Sequence, residues 1–137
     1  MHLLQIVVPF LRNGHFSVYV VNFKHRRVDI PDPNPWNLIG DGWKETHKGQ
    51  VQYRNSKGQW CKIMVKRLNE AMQVARPDSG IPKFGNYRCE MLDGIHKQKL
   101  GSNDCRFYCM WYMESLLETK PLPSANCFTE CQKLGTR

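Results

Sequence analysis

The pair Asn13-Gly14 divides two runs of β-branched and aromatic residues, Ile6 to Leu11 and His15 to Phe23. An Asn-Gly pair supplies the left-handed backbone that a two-residue β-turn demands, so the two runs are expected to fold back on each other as a hairpin. The second run is apolar on both alternating faces, with Tyr19, Val21 and Phe23 on one and Phe16, Val18 and Val20 on the other. A strand of that kind belongs in the middle of a sheet with cover on each side. After the basic turn at Lys24 to Arg26, Arg27 to Ile30 reads as a third short strand that stops at Pro31.

The pattern then changes. Pro31, Pro33 and Pro35, followed by Gly40, Gly42, Gly49 and Gly58, make this stretch mostly loop. Trp60, Met64, Leu68, Met72 and Ala75 recur at helical spacing, which predicts a helix ending before Pro77. A short extended piece is expected around Tyr87 to Met91. Ser102-Asn103-Asp104 are N-cap residue types just ahead of Cys105, Tyr108, Cys109, Tyr112, Met113, Leu116 and Leu117, a pattern that predicts an amphipathic helix with Cys105 in its first turn. Pro121 and Pro123 end it, and the tail from about residue 120 is expected to be weakly structured. These elements are expected to share one core over residues 1–137, giving an α+β domain with a small mixed sheet packed against helices.

Charge and cysteine content restrict the function classes. The formal charge of +8 favours acidic partners, but the basic residues are scattered, as in Lys24-His25-Arg26-Arg27, Lys66-Arg67 and Lys97 to Lys99. That distribution describes a solvated face, and the aromatics Phe16, Tyr19 and Phe23 read as core rather than as a stacking platform, so nucleic acid is not the expected partner. Leu3 to Leu11 lacks a basic leader and a small-residue cleavage site, and no apolar run reaches bilayer length. Six cysteines in a chain of this size, without a secretory signal, are expected to be free thiols in the reducing nucleus or cytoplasm. Cys105, Cys109, Cys127 and Cys131 offer four thiols to zinc, but closed zinc sites favour two-residue spacing, so no metal and no organic cofactor is expected.

A thiol in the first turn of a helix lies beside unpaired backbone N–H groups, which favour a thiolate and can donate to the oxyanion of a tetrahedral intermediate. Cys105 therefore has the location of a nucleophile, whereas Cys109 one turn later reads as a small buried hydrophobe.

The motifs Asn13-Gly14-His15-Phe16-Ser17-Val18-Tyr19, then Val28-Asp29-Ile30-Pro31-Asp32, then Gln98 followed by Gly101-Ser102-Asn103-Asp104-Cys105 stand in this order along the chain. Together they resemble the ubiquitin-like-protein-specific (Ulp/SUMO) cysteine protease family, in particular its plant, often transposon-associated branch, over about Val8 to Met113. The resemblance implies a papain-like cysteine protease fold, incomplete at the N-terminus because the family has helices before the first strand. It implies His15 as catalytic base, Asp32 as the carboxylate that orients it, Cys105 as nucleophile and Gln98 as oxyanion-hole residue. The implied substrate is a SUMO-like modifier precursor or conjugate, cleaved by Cys-His-Asp acyl transfer, with an inactive protein-binding remnant of the same fold as the alternative. The family's glycine after the nucleophile is Arg106 here, its tryptophan after the histidine is Phe16, and Pro31 and Pro33 flank the aspartate.

Overall fold

A computed structural model of the chain describes residues 5–12, 14–35, 47, 53–54, 57, 60–61 and 63–124. The expected hairpin is present as β1 (Gln5–Arg12) and β2 (His15–Asn22), antiparallel from Gln5 opposite Asn22 to Arg12 opposite His15. That register leaves a two-residue turn, and Gly14 adopts φ +76, a conformation in which an L side chain is strained. The turn thereby fixes His15 as the first residue of β2. Pro9 lies within β1, which donates no hydrogen bond there; β1 is an edge strand, where a missing N–H is tolerated.

Strand β3 (Arg27–Ile30) pairs antiparallel with β2. The chain then leaves the sheet and returns as β6 (Arg88–Met91), parallel to β3, so the four-stranded mixed sheet has the order β1-β2-β3-β6. Between β3 and β6 come a two-stranded ladder, β4 (Tyr53–Arg54) with β5 (Trp60–Cys61), and helix α1 (Ile63–Ala75). Trp60, which the periodicity placed at the start of this helix, belongs to β5 instead; the helix begins at Ile63. After β6 the chain enters α2 (Cys105–Leu117).

β2 is central and covered on both sides, as its two apolar faces require. On one side Tyr19 and Val21 join Val28, Ile30, Phe84, Tyr87 and Val65 of α1, with Met64, Leu68 and Met72 packed against them. On the other side Val18 and Val20 meet Cys109 of α2, flanked by Val7, Phe16, Met113 and Leu116. Each such buried aliphatic or aromatic side chain contributes about 1.5–3 kcal/mol, so the second layer locks α2 onto the face of β2. Cys105 at the head of α2 is thus brought to the start of β2.

α2 is less amphipathic than the sequence suggested. Cys105, Cys109, Tyr112 and Ser115 are buried, yet Phe107, Met110 and Leu117 are exposed. The structure also pins the first residues of the tail, since Ser124 bridges Ile95 and the His96 amide donates to the Pro123 carbonyl at 2.6 Å. Residues 125–137, with Cys127 and Cys131, lie outside the described residues.

Candidate active site

Three segments meet at one end of the sheet. β2 delivers His15 as its first residue. β3 ends at Ile30, and the turn beyond it places Asp32, whose amide donates back to the Ile30 carbonyl at 3.1 Å. α2 delivers Cys105. The thiol accepts a hydrogen bond from the backbone N–H of Phe16, with N to Sγ 3.4 Å. Phe16 follows His15 directly, so the nucleophile candidate and the base candidate meet at the head of β2.

Asp32 is completely buried and holds His15: its Oδ1 lies 2.8 Å from His15 Nε2. A carboxylate only accepts, so His15 must carry its proton on Nε2 when neutral, which leaves Nδ1 with the lone pair. The Asn34 amide donates to the same Oδ1 at 2.9 Å. Burial works to raise the Asp32 pKa, but the hydrogen bonds from His15 and His47, the charge of His15 and the Asn34 amide outweigh it and hold the carboxyl well below the usual carboxylate range. Asp29, the other aspartate of this motif, is occupied elsewhere, accepting from Arg27 Nε at 2.5 Å and Asn22 Nδ2 at 3.2 Å. The pleat explains the division: Asp29 stands within β3, whereas Asp32 has passed the strand's end and turns toward the head of β2.

Gln98 is buried and strapped to the Asp32 turn, its amide donating to the Pro33 carbonyl at 2.8 Å. Lys97 reinforces the strap through Nζ to the Asp32 carbonyl at 3.2 Å. Burial lowers the Lys97 pKa against the attraction of Asp32 and Asp93. The Gln98 side chain spends one amide hydrogen on the Ser102 carbonyl at 2.8 Å, which braces the loop leading into α2. The Gln98 Oε1 on the same amide is buried and has no hydrogen-bond partner among the described residues. Helix α2 starts from Asp104, which makes no side-chain cap hydrogen bond, so the expected capping by this cluster is not how the helix end is satisfied.

The described residues bring all four predicted site residues to one end of the fold, and they add two that the sequence reading did not assign. His47 Nε2 lies 2.6 Å from Asp32 Oδ2, and its Nδ1 contacts the Tyr19 hydroxyl. His47 sits in a glycine- and polar-rich stretch with no periodicity, so no local pattern marks it. Arg106 lays its guanidinium over the Phe16 ring, 5.7 Å from the centroid. The departures Arg106 and Phe16 are therefore partners, a cation stacked on an aromatic face beside Cys105.

Cys109 stands one turn below Cys105 with a different character. Burial, with the charges of Asp32 and Cys105, pushes its pKa up to about 12. Among the described residues no cluster of three or more potential metal ligands occurs, and no helix is long and apolar enough to cross a membrane. Comparison with protein-family models finds no match to this chain, and comparison with curated proteins finds none.

Proposed function

We propose that the chain is a cysteine peptidase or isopeptidase of the ubiquitin-like-protein-specific type, with the papain-like fold of that family, acting on SUMO-like precursors or conjugates in the nucleus or cytoplasm. The observation that carries the reading is the contact of Cys105, at a helix start, with the Phe16 N–H at the head of β2, while the adjacent His15 is held at 2.8 Å by the buried Asp32. In the reaction the Cys105 sulfur attacks the carbonyl carbon at the end of the modifier tail as its proton passes to His15 Nδ1. Gln98 and the backbone N–H groups at the head of α2 stabilise the oxyanion, and His15 gives its proton to the leaving amine. Water then attacks the thioester, with His15 as base, and releases the carboxylate and the free thiol. Among the described residues, Cys105 and Cys109 are free thiols.

Incubating the chain with precursors and isopeptide conjugates of several ubiquitin-like modifiers tests the proposal. Cleavage after the modifier's C-terminal residue, abolished by Cys105→Ala, is the expected result. Failure on every modifier, by a chain whose fold and thiol reactivity are intact, contradicts it.

A second reading, a protein-binding domain that keeps the fold without turnover, is favoured by the position of Arg106. Its side chain covers Phe16 where the modifier tail must approach the nucleophile. Arg106→Gly removes the cover and allows close backbone approach. Capture of a modifier bearing a C-terminal electrophile is therefore expected to rise about tenfold, the factor given by about 1.4 kcal/mol in the barrier. Labelling by iodoacetamide, which is small enough to pass Arg106, is expected to stay the same. Equal capture rates for the two proteins would show that Arg106 does not obstruct the site.

A further inference from the structure

The two oxygens of the Asp32 carboxylate face two different imidazoles, His15 at Oδ1 and His47 at Oδ2. A dyad in which the aspartate serves the base alone needs one imidazole. The second is not an exposed bystander: the His47 side chain is 4% exposed and Asp32 is 0% exposed, so His47 cannot reach a substrate. Behind it, its Nδ1 contacts the hydroxyl of Tyr19, a 1% exposed residue of β2.

A consistent set of protons runs through these groups when His47 is neutral. With Asp32 ionised, both Nε2 atoms donate to it, because a carboxylate has nothing to give. A neutral His47 then presents a lone pair at Nδ1, and the Tyr19 hydroxyl donates into it. Tyr19 thus selects the tautomer of His47, and His47 holds the free end of the Asp32 carboxylate against rotation about its Cβ–Cγ bond. The same donation draws part of the carboxylate's charge away from His15.

We infer that His47, anchored by Tyr19, is a positioning residue of the proposed hydrolysis: it fixes the Asp32 carboxylate that aims His15 and limits how strongly that carboxylate stabilises the His15 imidazolium. The inference rests on the reading of Cys105 and His15 as nucleophile and base. Among the described residues, the titratable and charged groups that face this unit include Tyr19 from β2, Lys97 through the Asp32 carbonyl, and Cys105, Cys109 and Tyr112 from α2. Cys109, with its pKa up at about 12, stays protonated through the neutral and mildly alkaline range and contributes no limb of its own there.

The test is the rate of Cys105 alkylation by iodoacetamide as a function of pH, read by mass spectrometry in the full chain. Removing one of the two donors concentrates the carboxylate charge on His15, which favours the imidazolium–thiolate pair. His47→Phe is therefore expected to move the alkaline midpoint of the profile, where the His15 imidazolium loses its proton, to higher pH by roughly one unit. His47→Gln, whose amide can reach Oδ2 as a donor, is expected to return the midpoint toward that of the unaltered protein. Tyr19→Phe, which unlocks the His47 tautomer, is expected to shift it in the same direction by less. If His47 serves packing alone, His47→Phe lowers thermal stability and leaves the midpoint in place, and that result overturns the inference. Should His47→Phe fail to fold by circular dichroism, an unmoved midpoint in Tyr19→Phe overturns it equally. A profile that is the same in His15→Ala as in the unaltered protein shows instead that the pairing of His15 with Cys105 is wrong.

Discussion

Replacing Asp32 by asparagine is expected to reduce turnover by about four orders of magnitude, the scale seen when a triad aspartate loses its charge. The geometry says why an isosteric change is so costly here. Both oxygens of Asp32 receive an imidazole N–H, at 2.8 and 2.6 Å. An asparagine amide presents one acceptor and one donor, so one imidazole is left facing a donor beside a group that has no exposed surface of its own. Either His15 loses the tautomer that leaves Nδ1 for the thiol, or His47 is expelled. The stability cost is expected to be about 1–3 kcal/mol, that of leaving a buried hydrogen-bonding group unsatisfied. The acid side of the stability curve reports the same group. Because the native Asp32 sits below the usual carboxylate range, its ionised form adds stability that is fully present above about pH 4 and is lost as pH falls toward the native value. Denaturant titrations at pH 7 and pH 3 check this: Asp32→Asn should show a smaller loss between the two pH values than the unaltered protein. An equal loss in both would place the acid sensitivity elsewhere.

Cys105 is expected to react with iodoacetamide at pH 7 at least about a thousandfold faster than Cys109, although the two are one helical turn apart. With its pKa pushed up to about 12, Cys109 is ionised to about one part in 10⁵ at neutral pH, and the thiolate is the reacting form. Cys105 has the Phe16 N–H directed at its sulfur and the head of α2 beneath it. Tryptic mapping of the labelled chain over time measures both rates in one sample. Comparable rates for the two cysteines, or prior labelling of Cys89, would remove the ground for calling Cys105 the nucleophile.

The elements that carry the site were legible where local chemistry decides them. Gly14 at a turn and the doubly apolar strand behind it placed His15 at the head of a covered central strand, because a period of two and a positive φ are properties of a few adjacent residues. The proline after Ile30 ended β3 and sent Asp32 beyond it. Tertiary contacts decided the rest. Trp60 shares the helical spacing of Met64 and Leu68, but strand pairing of Trp60 with Arg54 outweighed it. The parallel pairing of β3 with β6 joins Val28 to Cys89 across a long excursion, which no short window of sequence encodes. Phe107, Met110 and Leu117 broke the amphipathic reading of α2, since apolar residues on a helix do not by themselves say which of them meets the sheet. His47 was invisible for the same reason: its partners Asp32 and Tyr19 lie 15 and 28 residues away, and only the folded chain brings them to its two nitrogens.

The proposed function requires that Cys105, with His15 held by Asp32, act as a nucleophile toward a ubiquitin-like tail. Its most direct test is to incubate the chain with ubiquitin-like modifiers carrying a C-terminal electrophile and to identify the modified residue by peptide mass spectrometry. The account predicts a covalent adduct at Cys105 with at least one SUMO-like modifier, absent in Cys105→Ala and strongly slowed in His15→Ala. An adduct at Cys89 or Cys109, or capture at Cys105 that proceeds equally fast without His15, would contradict it.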